Sequence, residues 1–100
     1  MSKYYILDGK KPLSCDLITW TRWFEGAERH VAKSGGPKDK KPYVSTIFLG
    51  LDHSFGDGPP LLFETMIFGG EHDQYQDRCS TWEEAVAMHE RACQLIGIEP

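Results

Sequence analysis

The amino-acid sequence predicts an α+β domain: a small antiparallel sheet of about four to five strands with two α-helices, in the order β(β)-α-β-β-β-α. Three observations predict it. YVSTIFLGLD (43–52) and LLFETMIFGG (61–70) are dense in aromatic and β-branched residues and bounded by Gly/Pro clusters, the signature of strands. DLITWTRWFE (16–25) and STWEEAVAMHE (80–90) instead repeat their apolar residues at spacings of three and four, as amphipathic helices do. The connection between the two strong strands is short, so antiparallel pairing is the economical arrangement. One hundred residues make a single domain, 1–100, with a modest core.

Each element has its own justification. KYYILD (3–8) reads as a short strand, and Asp8-Gly9 as its turn. PLSC (12–15) returns as a second leg, which Pro12 confines to an edge because it has no N–H to donate. Asp16 is placed to cap a helix in which Leu17, Trp20, Phe24 and Ala27 share one face and Trp23 widens it. Gly26 marks the exit from that helix. ERHVAKS (28–34) fits either a helical continuation or a strand; the strand is preferred, because Gly26 precedes it and the next element is plainly β. GGPKDKKP (35–42) is a polar hairpin tip, and EHDQYQDRC (71–79) a polar loop. Ser80 with Glu83 forms a capping box for the last helix. There Trp82, Ala85, Val86, His89, Cys93 and Ile96 keep helical spacing until Gly97 and Pro100 end it.

Composition bounds the function classes. The net charge of −4 argues against a nucleic-acid binder, since phosphate neutralisation needs a basic surface. The cluster Lys38, Lys40 and Lys41 reads as a solvated loop. No run of about 18 apolar residues spans a membrane, and the N-terminus shows no apolar signal core. Cys15, Cys79 and Cys93 are odd in number and include no C-x-x-C pair, which fits free thiols in a reducing cytoplasm.

The candidate site is DHSFGDGPPLLFETMIFGG (52–70). Asp52, His53 and Asp57 offer oxygen and nitrogen ligands. The calcium-loop pattern and any zinc pairing are missing, however, and the Gly and Pro residues suffice for a rigid turn, so no metal or other cofactor is expected. Phe55 stands at the loop apex, either as an exposed anchor or folded back onto Trp20 or Trp82. Glu64 alternates with Leu62 and Met66, while Phe63 and Thr65 face the other way. Buried, Glu64 needs a cationic partner; on the opposite register it meets solvent. His53 with Glu64 could form an acid–base pair, but no nucleophile in an activating context, phosphate loop or dinucleotide fingerprint accompanies them. His89, on the apolar stripe, reads as a core histidine.

DLITWTRWFE, VSTIFLGLDHSFGDGPPLLFETMIFGG and STWEEAVAMHE together resemble a family of small uncharacterised proteins encoded by bacteriophages and prophages, with residues 46–70 the most distinctive block. The resemblance implies a context, an accessory protein made in a bacterial host cytoplasm, and brings no activity or catalytic residue with it. The expectation is a non-enzymatic interaction module, binding a host or phage protein or a second copy of itself through its sheet face and the 52–60 loop. The alternative is a small-ligand binder, for example of a nucleotide signal, using Asp52, His53, Phe55 and Glu64. Against that stand the scattered arginines and the absence of a Gly-rich helix start for phosphate. An enzyme using His53 and Glu64 ranks last.

Overall fold

The computed structural model describes residues 3–36 and 42–100, so the lysine cluster at 38–41 lies outside the described residues. The chain is α+β, in the order β-β-α-β-β-β-β-α. β1 (Tyr4–Asp8) and β2 (Lys11–Cys15) form a hairpin that is a two-stranded sheet of its own, with Pro12 opposite Leu7. Among the described residues no strand pairs with the outer edge of β2, so Pro12 keeps the edge-strand position expected of it. The hairpin is tethered to the chain beyond the fourth strand by hydrogen bonds from the Tyr5 N–H to the Gly50 carbonyl (2.9 Å) and from the Asp52 N–H to the Lys3 carbonyl (3.0 Å).

α1 (Leu17–Gly26) begins where predicted, with the Asp16 carboxylate accepting from the Thr19 N–H at 2.8 Å. Its inward face departs from the expected one at Leu17. Trp20 stacks on Phe24 (4.5 Å between centroids) and Trp23 meets Phe48 edge-on, but Leu17 is 52% exposed. α1 packs on β1, a narrow ledge, and three aromatic rings are enough to fill it. Gly50 makes that packing possible: at φ +79° a β-carbon there would lie 3.0 Å from Trp20 Nε1 and 3.3 Å from the Phe24 ring.

The second sheet is an antiparallel meander of β3 (His30–Gly35), β4 (Tyr43–Phe48), β5 (Phe63–Phe68) and β6 (Gln76–Cys79). Residues 28–34 are thus largely strand, as preferred. β6 corrects the loop expected at 71–79. Its sequence, QDRC, has no apolar pattern, and backbone pairing with β5, from Phe63↔Cys79 to Met66↔Gln76, orders it instead. α2 (Trp82–Ile96) has a capping box one residue later than expected, Thr81 with Glu84 rather than Ser80 with Glu83. Both frames read S/T-x-x-E, and the Glu84 carboxylate also accepts from the Ser80 N–H.

Strand alternation splits the sheet residues into two sets. Val44, Thr46 and Phe48 lie opposite Ile67, Thr65 and Phe63, all fully buried, and this set faces α2. Phe48 and Phe63 pack with Leu62, Ala85 and Met88, while Val44 and Ile67 pack with Ala92 and Cys93. Each such large side chain contributes about 1.5–3 kcal/mol through burial, more than the polar pairs between them, so the apolar rows decide which face the helix takes. The other set, Tyr43, Ser45, Ile47, Glu64, Met66 and Phe68, points away from the helix and belongs to neither core cluster.

Candidate functional site

The 52–60 loop is braced by the first of its predicted site residues. The Asp52 carboxylate accepts from the Ser54 N–H (2.8 Å) and the Leu61 N–H (3.0 Å), across the mouth of the loop, and the His53 N–H donates to the Leu61 carbonyl (3.1 Å). Partial burial pushes the Asp52 carboxyl up, but the hydrogen bonds from Ser54 and Leu61 together outweigh it and hold the group below the usual aspartate range. Asp52 is therefore an ionised clamp whose Oδ1 accepts both hydrogen bonds inside the loop.

At the tip, Phe55 is 99% exposed and does not fold back on Trp20 or Trp82. Asp57 is exposed beside it, and His53 is half-buried. A cavity of about 410 Å³ at the loop is lined by Lys3, Tyr5, Asp52, Ser54, Asp57 and Pro60, together with Gly56 and Gly58. Of the five predicted site residues, the structure brings only Asp52 and Asp57 into it; His53, Phe55 and Glu64 line none of it. Among the described residues, no group of three or more His, Cys, Asp or Glu side chains comes together as a metal site would require.

Glu64 sits in the middle of β5, buried and with the cationic partner that burial was expected to require, although not against an apolar face shared with Leu62. Its face is the one α2 leaves uncovered, yet the residue is only 8% exposed. Leu62, expected to share that face, instead lies before the strand and turns into the core at 1% exposure. Glu64 is covered by its own sheet neighbours. Arg78, directly opposite on β6, donates from Nε at 3.0 Å, and the Gln76 side-chain amide donates to the same carboxylate oxygen. A carboxylate satisfied by a guanidinium and an amide is a structural ion pair, held in a sheet, rather than a free base. Arg78 and Gln76 were not found from the sequence, because the segment that carries them reads as loop.

The remaining face residues surround this pair. Across the strands run three rows: Gly35, Tyr43 and Phe68; Lys33, Ser45, Met66 and Gln76; and Ile47, Glu64 and Arg78. The Tyr43 and Phe68 rings stack with centroids 4.9 Å apart. The result is an apolar and aromatic surface around a neutralised charge pair.

Three other titratable groups lie in or against the core. His89 of α2 is 2% exposed, with Nδ1 2.7 Å from Thr46 Oγ1 and Nε2 2.8 Å from Ser34 Oγ; Thr46 Oγ1 lies 2.5 Å from Thr65 Oγ1. Hydroxyls flank the imidazole on both sides, and no carboxylate orients it as a catalytic base would need. Burial pushes the Cys79 thiol up to about 11, with Glu84 adding to the effect, and burial likewise raises Cys93; neither is poised as a thiolate. No helix among the described residues is long and apolar enough to cross a membrane. No protein-family model matches the chain, and neither a curated protein nor a solved structure shows significant similarity to it.

Proposed function

We propose that this chain is a non-enzymatic interaction module that binds a protein partner through the open face of its four-stranded sheet, with the Phe55 loop tip as a second contact. One observation carries the reading: Ile47, Met66 and Phe68, each half-buried, and Tyr43, 8% exposed, lie around the Glu64–Arg78 pair on a face that no described helix covers. A solvated face of an antiparallel sheet is ordinarily polar, whereas aromatic residues, Met and Arg are the types enriched in protein interfaces. The sheet edges are poor templates for strand addition. β3 has a register shift between His30 and Ala32 and carries Lys33, and β6 is only four residues long. A partner therefore meets the face.

The proposed setting is a bacteriophage or prophage accessory protein acting on a host or phage protein in the bacterial cytoplasm, and the resemblance centred on residues 46–70 supports that setting. A second copy of the chain is the simplest partner. Small-ligand binding at the loop is the weaker reading, since His53, Phe55 and Glu64 do not share its cavity. Retention of a protein from bacterial host extract by the tagged chain tests the proposal, with sedimentation equilibrium to detect a second copy. Retention or self-association should be lost in Met66→Lys and weakened in Phe55→Ala, with circular dichroism unchanged in both. Equal behaviour of all three proteins overturns it.

A further inference from the structure

On the open face, along β3 and the facing residues of β4 and β5, a cleft of about 400 Å³ is lined by His30, Lys33, Tyr43, Ser45 and Phe68, together with Ser34, Gly35 and Gly36. That volume falls within the range of small-molecule sites. The cleft has three chemically distinct walls. Lys33 and Ser45 are cross-strand partners on the same face, which sets an ammonium beside a hydroxyl. Lys33 is exposed and forms no direct ion pair among the described residues, though the Glu28 carboxylate is near enough to feel its charge. The stacked Tyr43 and Phe68 rings form a flat apolar wall.

His30 supplies the third wall, and its tautomer can be deduced. Glu28 Oε1 lies 2.8 Å from the His30 N–H and 2.9 Å from His30 Nδ1. Those hydrogen bonds, the backbone one foremost, hold the Glu28 carboxyl below its usual range, so it is ionised and only accepts. Nδ1 must then carry the proton, which leaves Nε2 of the neutral ring as an acceptor with no partner among the described residues. The cleft therefore offers one cation, one hydroxyl, one open acceptor and one aromatic face.

We propose that this cleft binds a small planar aromatic monocarboxylate that also bears a hydroxyl. The ring lies against Phe68, the carboxylate meets Lys33 and Ser45, and the hydroxyl donates to His30 Nε2. A phosphate dianion is a poorer match. Among the described residues a single lysine faces the cleft, Arg78 is already engaged by Glu64, and no helix N-terminus contributes amides.

Titration of the full chain with 4-hydroxybenzoate, followed by amide resonances in two-dimensional NMR, tests the site. Saturable shifts are expected at Lys33, Gly35, Ser45 and Phe68. Binding should weaken about tenfold for neutral 4-hydroxybenzamide, and again about tenfold for Lys33→Gln, as loss of one charge-assisted contact implies. Leu95→Ala, on the exposed side of α2, should bind as the parent chain does, and the thermal midpoint of Lys33→Gln should match the parent because Lys33 is exposed. Absence of saturable shifts at the cleft, or equal affinity for the neutral amide, or undiminished affinity in Lys33→Gln, each overturns the assignment. No protein partner enters this experiment, so its failure leaves the sheet-face proposal standing.

Discussion

His89 on α2 and Thr46 on β4 meet at 2.7 Å in the centre of the core, and through this contact a polar row runs from Ser34 on the edge strand to Thr65 on β5. The row pins the helix to three strands at one level, between the two apolar clusters.

Acid should loosen this pin. Burial lowers the affinity of His89 for a proton in the folded state, and the nearby Glu90 offsets this only in part. The unfolded chain therefore binds the proton more readily, so stability is full above the ordinary histidine range and is lost as pH falls from there through the depressed folded value. Urea midpoints measured from pH 8 down to pH 5 should decrease, and His89→Gln should flatten that part of the profile. A parent profile that is level through this range contradicts the assignment.

Thr46→Val removes the shared hydroxyl and leaves both His89 and Thr65 short of a partner. The expected loss is about 1–3 kcal/mol, the scale of an unsatisfied buried group, read from chemical denaturation. A change within the about ±0.5 kcal/mol typical of surface substitutions would show that the row carries no stability.

Glu64→Gln should destabilise by about 1 kcal/mol, since the lost partner is a guanidinium that is still a third exposed and can recover water. A double-mutant cycle with Arg78→Gln isolates the pair. Coupling near zero would mean that the cover over Glu64, rather than the ion pair, sets its environment.

Phe55→Ala should leave the thermal midpoint unchanged, because the ring is 99% exposed and has no packing to lose. A drop of several degrees would place Phe55 on the core as a lid.

The parts of the fold that carry a hydrophobic period were legible in the sequence, and the parts held by backbone or polar geometry were not. Tyr43–Phe48 and Phe63–Phe68 announce themselves through β-branched and aromatic residues, and Trp82–Ile96 through its stripe. Gln76–Cys79 is a strand because β5 presents a free edge to it, a cause that no local pattern records. The same omission hid the partners of Glu64. Its environment was ambiguous for a second reason: Leu62 departs from the alternation just before the strand begins, so the apolar residue two positions away gave the wrong face. In α1, Leu17 and Trp20 share a helical face, but the number of residues a face buries depends on the width of what lies beneath it. The sequence leaves Phe55 open between an exposed tip and a ring folded back on Trp20 or Trp82, and the structure has it exposed. The acids of the 52–60 loop act as a brace and a tip rather than as a cluster with Glu64, since strand pairing carries Glu64 into the sheet.

The central claim, that the uncovered sheet face is where a partner docks, is tested most directly by site-specific photo-crosslinking in a bacterial host. A benzoylphenylalanine placed at position 66 or 68 should give a discrete adduct to another polypeptide, either a second copy or a different protein. The same group at Val86 or Leu95, exposed apolar positions on α2, should give none. Adducts from the helix positions and none from 66 or 68 would contradict the account.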